Sequence, residues 1–221
     1  MNGKLIVMEG SGDGVGKSTQ CNLLKEQLQK ENKQIYFHHF PSYNTYQGSL
    51  VEHYLRGDLG LPQDLSPYFI NSLYAVDRAI TWKTLLKKEY ESGKYVLLDR
   101  YTTSSLIYQS SLLKSIQDKK EFIDYVLDFE YNKLKIKEPD KVIFLHVPFE
   151  LTNELRNERK NNDGIENDIH ESNLDYLKQI YETSLFIAEY LNWDKVECSK
   201  DNKMKAIDDI HQKVYSLVKS E

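Results

Sequence analysis

The segment Glu9-Gly10-Ser11-Gly12-Asp13-Gly14-Val15-Gly16-Lys17-Ser18-Thr19 directly follows the apolar run Leu5-Ile6-Val7-Met8, and few folds accommodate that succession. A buried strand, a glycine-rich turn and a helix start gather backbone N–H groups around an anion. Glycines at 10, 12, 14 and 16 let the chain turn those groups inward. The helix beginning near Lys17 adds its positive dipole end, and Lys17 adds a full charge. Gly12, Gly14, Gly16, Lys17, Ser18 and Thr19 are therefore candidate nucleotide-phosphate contacts, with the Ser18 hydroxyl a candidate Mg²⁺ ligand. Counting back from Gly16-Lys17 puts Ser11 where the first glycine of G-x-x-x-x-G-K-[ST] belongs. Gly10 and Gly12 flank that slot, so the loop reads as one residue longer than usual. A dinucleotide fingerprint fails, because no G-x-G here has a third glycine three residues on. The alternative is a glycine-rich turn with a solvated lysine; the preceding strand and the pattern Cys21, Leu24, Leu28 favour nucleotide binding.

The rest of the chain repeats the strand–helix alternation. Gln34 to Phe40 reads as a strand stopped by Pro41, Ser49 to Leu55 as a short helix ending at Gly57, and Gly60 to Pro67 as a loop. A long helix from Tyr68 carries Ile70, Leu73, Ile80 and Leu85 and stops at Gly93. Tyr95-Val96-Leu97-Leu98 and Val142-Ile143-Phe144-Leu145 are continuous apolar strands, as expected of positions covered on both faces. Between them Thr102 or Thr103 is expected to cap a helix, and a second helix carries Phe122, Val126 and Phe129. Leu151 to Lys160 reads as helical and Asn161-Asn162-Asp163-Gly164 as a mobile polar loop. A long helix from about Ser172, a weak strand Lys195 to Cys198 and a closing helix Met204 to Val218 complete the pattern. The expectation is an α/β fold of three layers, a doubly wound parallel five-stranded sheet with a phosphate loop, in which ligands sit beyond the carboxyl ends of the strands.

With 221 residues, 40% of them hydrophobic, the chain fits one domain, 1–221. The net charge of −5 with interspersed signs gives no basic face for nucleic acid or an anionic membrane. No apolar run approaches the roughly eighteen residues needed to span a bilayer. Cys21 and Cys198 have no metal or disulfide spacing. A cytoplasmic protein with small-molecule partners is expected.

Asp99-Arg100-Tyr101, just past a buried strand, places an acid where it can reach a metal and a guanidinium fork where it can meet a phosphate. From there the stretch Asp99-Arg100-Tyr101-Thr102-Thr103-Ser104-Ser105-Leu106-Ile107-Tyr108-Gln109 closely resembles the D-R-Y-x-x-S-x-x-A-Y-Q signature of thymidylate kinases. Phe40-Pro41-Ser42-Tyr43 is similar to that family's F-P-x-[RY] turn, and Tyr74-Ala75-Val76-Asp77-Arg78 to its aromatic-x-x-x-Arg helix segment. Residues 156–170 occupy its lid position.

The resemblance implies that Tyr74 stacks on thymine, that Arg78 reaches the exocyclic oxygen of the base, and that Ser105 bonds the base edge. It implies that Tyr108 lies under the sugar and leaves no room for a 2′-hydroxyl, and that Asp13 reads the 3′-hydroxyl. Phe40, Tyr43 and Arg100 line the site, with Arg100 on the monophosphate. Asp99 joins Ser18 at the metal. Gly14 stands where some members carry a catalytic arginine, and members without it use the lid. Arg159 is then the candidate for the transferred phosphoryl group, and Arg156 for the adenine and donor phosphates. The lid's usual D-R-x-E reads Asp163-Gly164-Ile165-Glu166 and lacks its arginine.

The activity implied is Mg²⁺-dependent phosphoryl transfer from ATP to dTMP by a homodimer, with Lys17, Arg100, Arg159 and Asp13 as the catalytic set. A deoxynucleoside kinase of similar fold and a nucleotide-binding protein that has lost turnover are the alternatives. Arg100 beside Tyr43 and Phe40-Pro41 favours a monophosphate acceptor over a nucleoside.

Overall fold

The computed structural model describes residues 3–163 and 174–219, and for 157–163 the helical backbone only. Its centre is a parallel sheet of β1 (Lys4–Gly10), β2 (Ile35–His39), β3 (Tyr95–Asp99), β4 (Lys141–His146) and β5 (Asp194–Glu197). The strand order is β2-β3-β1-β4-β5, so the chain winds outward from β1 in both directions. Met8 lies opposite Asp99 and Gly10 opposite Leu145. The glycine-rich turn therefore leaves the sheet beside Asp99-Arg100, at the point where the winding reverses.

Side chains alternate across a strand, and here both faces are covered. Ile6, Met8, Leu97, Ile143 and Leu145 pack on Cys21, Leu24 and Leu28 of α1 (Lys17–Lys30) and on Ile210, Val214 and Val218 of a closing helix. Leu5, Val7, Val96 and Leu98 face the other way, onto Phe40, Trp82, Leu86, Tyr90 and Tyr101. This double burial is why the strands read as unbroken apolar runs.

The remaining helices are α2 (Ser49–Leu55), α3 (Pro67–Thr81), α4 (Lys87–Glu91), α5 (Thr102–Ser110), α6 (Ile116–Leu127), α7 (Phe149–Asp163), α8 (Leu174–Tyr190) and α9 (Ile207–Lys219). A π-helical stretch, Trp82–Leu86, joins α3 to α4, and another, Asp128–Lys133, extends α6 and carries Phe129.

Three expectations need correction. Neither Thr102 nor Thr103 caps α5, whose first helical residue is Thr102 itself. Their hydroxyls instead donate to buried carboxylates, Thr102 to Glu130 at 2.8 Å and Thr103 to Glu9 at 2.9 Å. A charge-assisted bond outcompetes a cap. Asn161, Asn162 and Asp163 continue α7, because no glycine or proline interrupts the helix before Gly164; the rest of the expected loop lies outside the described residues. The closing helix starts at Ile207, with Met204 in a small antiparallel ribbon of β6 (Ser199–Lys200) and β7 (Lys203–Met204). Asp201 and Asn202, at φ 51° and 55°, make the left-handed turn that joins the two.

Candidate active site

Gly16, at φ 94°, precedes α1, and among the described residues no side chain caps that helix. Its first amides and its positive end are thus directed at the loop. Gly14 is also left-handed, at φ 82°. Lys17 lies across the loop, its Nζ donating to Gly12 O at 2.8 Å and standing 3.4 Å from Asp13 Oδ1. The unusual Ser11 is buried at the seam between β1 and β4. Its Oγ donates to Val147 O and accepts from Val147 N–H, each at 3.0 Å. That clip holds the lengthened loop against the end of β4. Thr19 is exposed on the first turn of α1.

On the β3 side, Ser18 Oγ donates to Asp99 Oδ2 at 2.8 Å, and His39 Nδ1 stands 3.4 Å from the same oxygen. Burial works to raise the Asp99 pKa, but the bond from His39 and the charges of Lys17 and Arg100 outweigh it and hold the carboxyl down at about 2. Asp99 Oδ1 is buried and has no hydrogen-bond partner among the described residues. An unmatched carboxylate oxygen beside a hydroxyl is a hard-oxygen donor pair, which suits Mg²⁺ when phosphates and waters complete the shell.

Next to the loop opens a cleft walled by aromatic and charged side chains. Asp13, Phe40, Tyr43, Tyr74, Arg78, Arg100, Ser105 and Tyr108 all line it, although they come from β1's exit, β2's exit, α3, β3's exit and α5. Arg100 has φ 68°, a left-handed conformation that costs a non-glycine residue about 1 kcal/mol. Its N–H donates to Met8 O at 3.2 Å, and its guanidinium turns back to the loop and pairs with Asp13. Nη1 donates to Tyr108 OH at 3.3 Å, and Tyr108 OH donates to Asp13 Oδ2 at 3.2 Å. Burial opposes ionisation of Asp13, but the charges of Arg100 and Lys17 dominate and hold its carboxyl far below the usual carboxylate range.

At the far end, Arg78 is 1% exposed and stands with its guanidinium carbon 6.0 Å from the centre of the Tyr74 ring. It donates to Ser105 Oγ at 2.9 Å. Tyr43 is at the rim and stacks on His39 with ring centres 6.1 Å apart. Two carboxylates that the sequence reading left out of the site organise it. Glu130 grips Arg78, and Glu9 accepts from Thr103 Oγ1 at 2.9 Å and Ser104 Oγ at 2.6 Å, tying β1 to α5. Glu9 had a signal, since a charge at the end of an apolar strand is buried only when partnered. Glu130 had none: it follows Phe129 at the end of the expected helix, and nothing in the local sequence pairs it with Arg78.

A second, smaller cavity lies on the other side of the loop, bounded by Ser11, Gly12, Asp13, Asn153 and Arg156. Arg156 Nη2 donates to Asn153 Oδ1 at 2.6 Å, and its Nε is buried without a partner among the described residues. Arg159 lies on α7 with its side chain outside the described residues, as does most of the segment 156–170.

The sequence matches the thymidylate kinase family over residues 8–213. The chain belongs to that family. This thymidylate kinase family member is 30% identical to the thymidylate kinase of Prochlorococcus marinus (strain NATL2A), with both chains covered in full. It is 33% identical to the thymidylate kinase of Brachyspira hyodysenteriae, over 92% of this chain and 89% of the relative. It is 30% identical to the putative thymidylate kinase 251L of Invertebrate iridescent virus 6, over 90% and 82% respectively. The fold is that of the thymidylate kinase from Candida albicans, with a TM-score of 0.71 at 21% identity over 99% of this chain and 92% of that one. The family drawn from the Asp99–Gln109 stretch is thus the family the whole chain belongs to. Among the described residues no helix is long and apolar enough to cross a membrane.

Proposed function

We propose that this thymidylate kinase family member transfers the γ-phosphoryl group of ATP to dTMP, giving ADP and dTDP, with Mg²⁺ as cofactor. The observation that carries this reading is Arg100, which stands between the phosphate loop and an aromatic-lined cleft and is paired to a carboxylate of that loop. A guanidinium in that place can exchange a carboxylate for the acceptor's phosphate and keep its fork geometry.

The base would lie between Tyr74 and the Phe40 wall, with Arg78 and Ser105 at its edge. Tyr108 closes the space below the sugar, and Asp13 offers its oxygens to the 3′-hydroxyl. Tyr43 closes the phosphate end. On the donor side the amides of Gly12 to Thr19 and the Lys17 ammonium take the triphosphate, and Arg156, whose buried Nε needs an acceptor, faces the same cavity. Ser18 and Asp99 would hold Mg²⁺, which supplies neutralisation of charge on the donor phosphates. Little covalent work is left to the protein: the transferring group spreads negative charge, and Lys17, Arg100 and a lid arginine, Arg159, stabilise it while the two nucleotides are held in line.

The same reading gives one catalytic domain over 1–221, a cytoplasmic location and a homodimer. Reduced, buried Cys21 and Cys198 suit a reducing compartment. Phe69 and Val76, both exposed on α3 and seven positions apart, supply one apolar stripe for a partner protomer. A coupled assay with ATP and a panel of nucleoside monophosphates tests the assignment: dTMP is the preferred acceptor, and faster phosphorylation of UMP or CMP rejects the base site.

A further inference from the structure

We infer that Glu130 is the positioning residue of the base site: it fills the fork of Arg78 and leaves that arginine a single donor with which to read a pyrimidine carbonyl. The inference rests on the assignment of Arg78 to the base.

Glu130 is 0% exposed, whereas Asp128, Asn132 and Lys133 of the same π-helical stretch are exposed. The widened turn brings this one carboxylate inward. Its Oε2 accepts from Arg78 Nε at 2.7 Å and from Thr102 Oγ1 at 2.8 Å. Its Oε1 accepts from Arg78 Nη2 at 2.6 Å. The whole Nε–Nη2 edge is therefore occupied, and Nη2 is further surrounded by Ser105 Oγ at 2.9 Å and Asn71 Oδ1 at 3.2 Å. Nη1 alone is lightly used, donating to Tyr101 O at 3.4 Å. Among the described residues one N–H of Nη1 has no acceptor, on a side chain that lines the cleft.

An arginine whose fork is open is a receptor for phosphate or carboxylate. The bidentate carboxylate removes both that geometry and the net charge. What is left is one directed N–H, which a carbonyl oxygen of thymine or uracil can accept and the amino group of cytosine cannot. The pairing also leaves Arg100 without a competing guanidinium at the base end, so the acceptor enters in one orientation.

Kinetics of Glu130→Gln, Arg78→Ala and the double variant, on dTMP and dCMP with ATP saturating and then on ATP with dTMP saturating, test this. The glutamine is isosteric but sets an amide N–H₂ against the guanidinium donors. For Glu130→Gln, kcat/KM for dTMP is expected to fall about 30-fold, chiefly through KM, and the preference for dTMP over dCMP about tenfold. KM for ATP stays within about twofold, which a general loss of structure would not allow. In the Arg78→Ala background Glu130→Gln adds less than about twofold, because the arginine it positions is gone. Glu130→Asp keeps the charge and the fold with shorter reach, and gives an intermediate rise in KM for dTMP. An unchanged KM and preference in Glu130→Gln, where Arg78→Ala raises KM, overturns the role of Glu130 and spares the base assignment. An effect of equal size with and without Arg78 overturns it in favour of packing alone. No effect of Arg78→Ala on KM for dTMP rejects the base assignment, and the role of Glu130 with it. Should Glu130→Gln not fold, an unchanged KM for dTMP in Glu130→Asp overturns the proposal.

Discussion

The cleft is built on two arginine–carboxylate pairs that share their chemistry and differ in their surroundings. In the Arg78–Glu130 pair the side chains are 2% and 0% exposed; in the Arg100–Asp13 pair they are 16% and 34% exposed. The first pair is closed, with both oxygens of Glu130 taken by Arg78 and Thr102. The second is shared: Asp13 also faces Lys17 and Tyr108, so Arg100 can leave it for a phosphate while the carboxylate keeps other partners. Burial thus separates an ion pair that serves as scaffold from one that a ligand can exchange.

The largest effect that sharpens this contrast belongs to the exchangeable end. Replacing Lys17 by Ala removes a charge directed at charge that develops during transfer, and turnover should fall about 10²–10³-fold. A single-turnover assay with saturating ATP and dTMP measures it, and near-normal turnover places Lys17 outside the reaction. Stability should show the opposite ranking of the two ends. Glu130→Ala strands a buried guanidinium and should lower unfolding free energy by about 3–5 kcal/mol. Asp13→Asn, in the open pair, should change it by about 1 kcal/mol or less. Urea titrations of both variants decide the point, and equal losses would erase the distinction between the pairs.

Between the ends lies Tyr108, whose ring sits 5.4 Å from the Arg100 guanidinium carbon. If it excludes a 2′-hydroxyl by bulk, Tyr108→Ala should narrow discrimination between dUMP and UMP about tenfold. Unchanged ratios of kcat/KM would remove steric exclusion from the account.

The two ends were also unequally legible. The exchangeable end announced itself because glycines at 14 and 16 serve left-handed turns and Asp99-Arg100 follows a buried strand. The order of elements was equally plain, since both faces of β1, β3 and β4 are covered and their sequences show it. The scaffold end was half hidden. Tyr74 and Arg78 share a helical face by simple spacing, but Glu130 reaches Arg78 only through a π-helical stretch, whose phase no 3.6-residue pattern contains. Thr102 and Thr103 looked like caps because capping is the common use of threonine at a helix start, and long-range carboxylates are invisible to local sequence. Asn161 to Asp163 failed in the other direction. Their weak propensity does not stop a helix already under way from Phe149.

Acid offers the finest probe of the exchangeable end, where two carboxylates are depressed. Asp13 lies far below its ordinary range, and Asp99 is held at about 2 against 3.8. A carboxylate whose folded pKa is lowered contributes stability that is fully present above the unfolded value and is lost as pH falls through the folded one. For Asp99 that window runs from about pH 4 down to about pH 2. Urea midpoints measured across it should decline in the parent protein and decline less steeply in Asp99→Asn, which has no such proton to take up. If the two slopes coincide, Asp99 is no better ionised in the folded chain than in the unfolded one. The cations of Lys17 and Arg100 would then not reach the metal side of the site, and the phosphate end would be a set of separate contacts instead of one shared field.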